Sequence, residues 1–151
     1  MKLTIIPMAL LLVSSVTHAA AIESIKVFHT DKVRVVQDIP LNGYQNIEVF
    51  NMDTKNNATF KLNTLMKKKV QSKSRITDHK AAYLEAFDEV LNSSNWDEIY
   101  LGFEKGGLAI VSAVQLKIKK TPAIVFNETS VVYGVTSLRE AVQIYNKSNK
   151  K

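Results

Sequence analysis

Between Ala58 and about Leu116 the apolar residues recur every three or four positions, whereas on both sides of that stretch they alternate or run together. A side chain repeats its direction every 3.6 residues in a helix and every two in a strand. The chain must therefore draw its sheet from its two ends and hold a long helical insert between them. That is the order of an α/β or α+β sandwich, with helices packed on a small mixed sheet.

The first end supplies two strands. Ile25-Lys26-Val27-Phe28-His29 alternates and then meets Thr30-Asp31; Ile47 to Asp53 repeats the alternation after the turn-favouring Asn42-Gly43. Between them Val33, Val35, Val36 and Ile39 fit either a short helix or a further extended piece. In the insert, Leu62, Leu65, Met66 and Val70 make one helical face. Asp78 reads as the N-cap of a second helix facing inward through Tyr83, Phe87, Val90 and Leu91. After a break at Asn92 to Asn95, Asn95 and Glu98 stand as a capping pair for a third, with Trp96, Ile99, Tyr100 and Phe103 on its stripe. Gly106-Gly107 is expected to interrupt it or to join two helical pieces, since each glycine costs about 1 kcal/mol against alanine inside a helix. Ile110, Val111, Val114 and Ile118 resume the helical spacing beyond.

The second end returns to strands. Pro122 to Phe126 is a continuous apolar run, as in a strand covered on both faces, and Asn127-Glu128-Thr129 links it to a hairpin partner over Ser130 to Gly134. Ser137 and Glu140 form a capping box, and Leu138, Ala141, Val142 and Tyr145 give the last helix its buried face. The element order is thus β-(α)-β-ααα-β-β-α, with residues 20–146 as one domain and 147–151 as a basic flexible tail.

Met1-Lys2, the apolar stretch from Leu3 to Val16, and the small residues of Thr17-His18-Ala19 and Ala19-Ala20-Ala21 read as a secretory signal over residues 1–19, with cleavage as late as residue 21. The run falls short of the roughly 20 apolar residues of a membrane span. Without Lys2, the 20 basic side chains become 19 against 14 acidic, a net charge of +5. That excess favours acidic protein partners or an anionic membrane surface.

The chain contains no cysteine. Thiol-disulfide chemistry is excluded, and the core must hold without disulfides. His29 and His79 have no second ligand at metal spacing, and no nucleophile elbow or phosphate loop is present. The sequence therefore offers no catalytic residue, metal ligand or cofactor site. Lys67, Lys68, Lys69, Lys73 and Arg75 form its strongest charge cluster, read either as a solvated helix end or as a basic docking patch. No aromatic residue is interleaved with them for base stacking, so nucleic acid is not an expected partner.

Lys120-Thr121-Pro122-Ala123-Ile124-Val125-Phe126, then Val131-Val132-Tyr133-Gly134 and a capped helix, resemble the C-terminal half of a thioredoxin fold. With the Val27-Phe28 strand, the Ile47 to Asp53 strand and the Ala109 to Ile118 helix, the whole chain resembles a family of small exported proteins. These are encoded in bacterial integrating conjugative elements beside type IV secretion genes. The resemblance implies a thioredoxin-like fold, a cis Thr121-Pro122 bond and a place in the periplasm of a Gram-negative cell. At two places the sequence departs from that pattern: Gln115-Leu116-Lys117-Ile118 lacks a glycine after the leucine, and Asn127-Glu128 replaces an Asp-Gly-like turn.

Two functions remain open on these grounds. One is a non-catalytic binding or assembly protein that pairs an extended segment of a secretion or pilus component near Thr121, Pro122 and Ala123. The other is a hydrolase or transferase with an unrecognised site around Tyr100, His79 and the acidic helix faces at Asp88-Glu89 and Asp97-Glu98.

Overall fold

The computed structural model describes residues 21–40, 43, 44, 46–73 and 78–149. The signal segment, Asn42, Arg75 and the last two residues of the basic tail lie outside it. The elements are β1 (Ser24–His29), β2 (Asn46–Asn51), α1 (Thr54–Ser72), α2 (His79–Leu91), α3 (Trp96–Gln115), β3 (Ala123–Phe126), β4 (Ser130–Tyr133) and α4 (Leu138–Ser148). Four strands and four helices make an α+β architecture in the order the periodicity implies. The optional helix between β1 and β2 does not form among the described residues. That segment turns at Thr30 to Val33 and then makes a single bridge, Val36 to Ser137, the Val36 amide donating to the Thr136 carbonyl at 2.7 Å.

The sheet is ordered β2-β1-β3-β4, with β1 and β2 parallel and the other two pairs antiparallel. It is covered on both faces, which is why β3 is apolar throughout. Ile124 and Phe126 join Ile25, Val27 and the α4 residues Leu138, Ala141, Val142 and Tyr145 on one side. Ala123 and Val125 join Phe28 and Ala113 of α3 on the other. Phe126 stacks on Tyr145 at 4.6 Å and Phe28 on Phe50 at 5.0 Å, so an aromatic pair anchors each face. Lys26, an inner-strand cation, is tied to Glu48 directly opposite on β2 (3.4 Å) and to Glu128 (2.9 Å).

The helical caps are mixed in outcome. Asp78 accepts from the amides of Lys80 and Ala81, as an N-cap should. Ser137 accepts from the Glu140 amide, but its hydroxyl donates to Asp38, whose carboxylate also takes the Arg139 amide. Asp38, from the segment after β1, thus completes the cap. Asn95 makes no side-chain cap bond, and Glu98 pairs with Lys61 of α1 instead.

One expectation about the insert is overturned and another holds in part. α3 runs unbroken through Gly106-Gly107. The glycines there belong to a close helix crossing: a Cβ on Gly106 would lie 2.5 Å from the Lys55 amide nitrogen, and one on Gly102 2.8 Å from the Ala58 Cβ. The inward faces are met in part: Leu62, Leu65, Met66 and Val70 of α1 pack with Val90 of α2 and with Trp96, Ile99 and Phe103 of α3. α2 buries Ala82, Ala86 and Val90 while Tyr83 and Phe87 face solvent, and α3 buries Ile99, Ala109 and Ala113 while Tyr100, Ile110, Val111 and Val114 are exposed. Close approach of α1 and α3 selects small residues for the contact, so the large apolar ones turn outward.

Candidate functional site

Position 121 is reached by counting hydrogen bonds along β3. The Gly134 amide donates to the Pro122 carbonyl at 3.0 Å, beyond the paired Ala123 and Tyr133. In an antiparallel ladder bonded positions alternate, so residues 122, 124 and 126 bond β4 while 123 and 125 bond β1. The next position aimed at the β1 side is Thr121, and the register pairing Phe28 with Ala123 sets Thr30 opposite it. Thr30 has turned away. Its amide donates to the Val33 carbonyl at 3.3 Å, and the His29 Nδ1 lies 3.0 Å from the Thr30 carbonyl. Thr121, half-buried, makes no backbone hydrogen bond among the described residues. The Thr121-Pro122 bond is cis, and Pro122 and Ala123 are buried beneath that point.

The walls of this sheet end are polar on one side and cationic on the other. The Asp31 carboxylate accepts from the Asn57 and Asn51 side-chain amides, both at 2.7 Å, and the Asp31 amide donates to Asp53 Oδ2 at 2.9 Å. These bonds stitch the turn after β1 to the end of β2 and the first turn of α1. The Asn57 amide, then that of Asn51, hold the Asp31 carboxyl below its ordinary range by bonding the charged form. On the other side the Lys119 amide donates to the Tyr133 hydroxyl at 3.3 Å, and Lys120 Nζ lies 5.6 Å from the centre of the Tyr133 ring.

The lysine cluster does not act as one unit. Lys73 bonds Glu85 (2.7 Å) and Glu89 (2.6 Å), and Lys69 bonds Glu89 (2.8 Å), so these two cations clamp α1 to α2. Glu85, then Glu89, raise Lys73 above its ordinary value, and Lys69 with Lys73 lower Glu89 to about 2. Lys67 and Lys68 point into solvent. Tyr100 and His79 are both exposed, one on the outer face of α3 and the other in the first turn of α2.

Asn127 escaped the sequence reading although its signal was there, in the departure from an Asp-Gly-like turn. It and Glu128 adopt φ of 50° and 59°, a left-handed pair that asparagine tolerates better than most residues. Its side chain accepts from the Glu23 and Ser24 amides and donates to the Ala21 carbonyl and the Tyr145 hydroxyl. The turn thereby fastens the entry of β1.

A family model described as a protein of unknown function (DUF1525) matches residues 23–151. The chain belongs to this family. No curated protein and no solved structure matches it. No helix among the described residues is long and apolar enough to cross a membrane.

Proposed function

We infer that the protein is a non-catalytic binding or assembly factor of a conjugative type IV secretion apparatus, exported to the periplasm of a Gram-negative cell. It pairs through the Thr121 backbone with an extended segment of an apparatus or pilus component. The observation that carries this reading is the unused ladder position at Thr121. The unbonded backbone of a half-buried residue at the end of a sheet is completed most simply by a further extended chain, which needs no catalytic side chain. The sheet order, the antiparallel β3-β4 pair and the closing α4 support a thioredoxin-like description of the fold. The resemblance to exported conjugative-element proteins and the Met1 to Ala21 segment support the location.

The test is photo-crosslinking in cells that carry the conjugative element, with a benzophenone side chain at Lys120 and, as control, at Lys80 on α2. An adduct at Lys120 with one secretion or pilus component, absent at Lys80, is the expected result. The same adducts from both positions, or none from Lys120, would overturn the binding site. Intact mass of the periplasmic product should begin at Ala20 or Ile22, and retention of Met1 to Val16 would overturn the export arm.

A further inference from the structure

Two segments flank Thr121: the turn after β1, which the pairing of Phe28 with Ala123 brings opposite it, and the stretch that leads from α3 into β3. Residues 30–34 and 117–121 contain five cations, Lys32, Arg34, Lys117, Lys119 and Lys120, and all five are exposed. None of them makes an ion pair among the described residues.

Two carboxylates stand at the same end, and both are engaged within the chain. Asp31 accepts from the Asn51 and Asn57 side-chain amides, and Asp53 accepts from the Asp31 amide. The Asn57 bond, then that of Asn51 and the nearby charge of Arg34, hold Asp31 in its charged form. The acidic groups therefore lock the turn after β1, while the cations outnumber them and face solvent around the open ladder position. An incoming chain meets positive charge on both sides of Thr121, within the distance over which exposed charges act at physiological salt.

We propose that the extended segment taken up at Thr121 is acidic: its backbone completes the ladder, and Asp or Glu side chains near the paired residue meet Lys32 and Arg34 on one flank and Lys119 and Lys120 on the other. This rests on the reading of Thr121 as a pairing position and adds the chemistry of what is paired there. A nucleic acid or an anionic bilayer would answer the charge, but neither brings the backbone amide and carbonyl that a strand ladder takes.

Fluorescence anisotropy of the mature protein with three synthetic peptides tests it. Each peptide has about eight residues, a typical strand length, with Val and Thr alternating with a variable position that holds glutamate, serine or lysine. The glutamate peptide should bind at least about tenfold more tightly than the serine peptide, and the lysine peptide more weakly than either. That advantage should shrink between about 50 and 300 mM salt, as screening grows. Lys119→Glu with Lys120→Glu, and separately Lys32→Glu with Arg34→Glu, should each weaken the glutamate peptide about tenfold and leave the serine peptide within about threefold. All four residues are exposed, so both variants should keep the parent's circular dichroism spectrum. A glutamate peptide methylated on its backbone nitrogens, which cannot donate to a ladder, should lose most of its binding.

Equal binding of the glutamate and serine peptides, or a preference for glutamate that survives both charge reversals, would overturn the proposal and leave pairing at Thr121 standing. A methylated glutamate peptide that binds as well as its parent would overturn the pairing itself, and the proposal with it. If none of the three peptides binds at protein concentrations up to about 1 mM, the proposal is likewise overturned. Crosslinking at Lys120 judges the pairing independently.

Discussion

The sheet and the α1–α3 crossing of this protein bury different kinds of side chain. Around the sheet the fully buried residues are large, with Phe28, Phe126, Ile25, Ile124 and Leu138 filling the two faces. Where α1 crosses α3 the contact is built from Ala58, Gly102 and Gly106, while the insert's own core gathers Met66, Ala86, Val90 and Ile99 with Leu62, Leu65, Val70, Trp96 and Phe103 packed against them. The sheet gains stability chiefly from apolar area removed from water, the crossing from helices lying close enough for backbones to touch. The difference also decides what reaches the surface. On the side of α3 away from the crossing, Tyr100, Val111 and Val114 are exposed.

The largest expected effect tests the sheet half of that contrast. Phe126→Ala removes a ring stacked on Tyr145 and should cost about 3–5 kcal/mol in urea unfolding. The insert should respond to the opposite kind of change. Gly106→Ala adds a single carbon where the Lys55 backbone already stands, and overpacking of this kind costs about 1–3 kcal/mol in spite of the better helix former. Gly107→Ala, one residue on and in open space, should stabilise by up to about 1 kcal/mol. Equal shifts from the two adjacent glycines would break the comparison.

The face assignments show where sequence reading succeeds and where it stops. The inward residues of β3 and α4 were legible because in both elements the large apolar residues are the buried ones. In α2 and α3 the same rule selected Val90, Trp96, Ile99 and Phe103, which pack inward, together with Tyr83, Phe87, Tyr100 and Val114, which face solvent. Periodicity locates an amphipathic stripe but does not say whether the stripe or its small-residue opposite meets the neighbouring helix. The free ladder position at Thr121 follows from the bond parity of three strands and from the turning away of Thr30, and neither is written in local pattern. Lys69 and Lys73 were visible as charges; their partners Glu85 and Glu89 lie on another helix, and only the packing of α1 on α2 unites them.

That ionic clamp gives a smaller, pH-dependent effect. Glu89 titrates near 2 in the folded protein against an ordinary 4.5, so the folded state prefers the charged form. The stability this contributes is fully present above 4.5 and is lost as pH falls through about 2. Thermal melts from pH 5 to 2 (about the titration range of carboxylates) should therefore fall more steeply for the parent than for Glu89→Gln. Parallel curves would mean that the clamp contributes nothing. The smallest effect belongs to the outward cations: Lys67→Gln with Lys68→Gln should change stability by no more than about 0.5 kcal/mol.

The bonds of Asn127 reach back more than a hundred residues, to the Glu23 and Ser24 amides. β1 meets its parallel neighbour β2 within a short stretch of chain, yet its other neighbour, β3, follows the whole helical insert. During synthesis, therefore, one flank of β1 has no strand to pair with until the insert has been made, while α1, α2 and α3 already have all their mutual contacts available. The insert is free to assemble early from local encounters, and the sheet closes afterwards, when the turn at Asn127 arrives to hold the entry of β1.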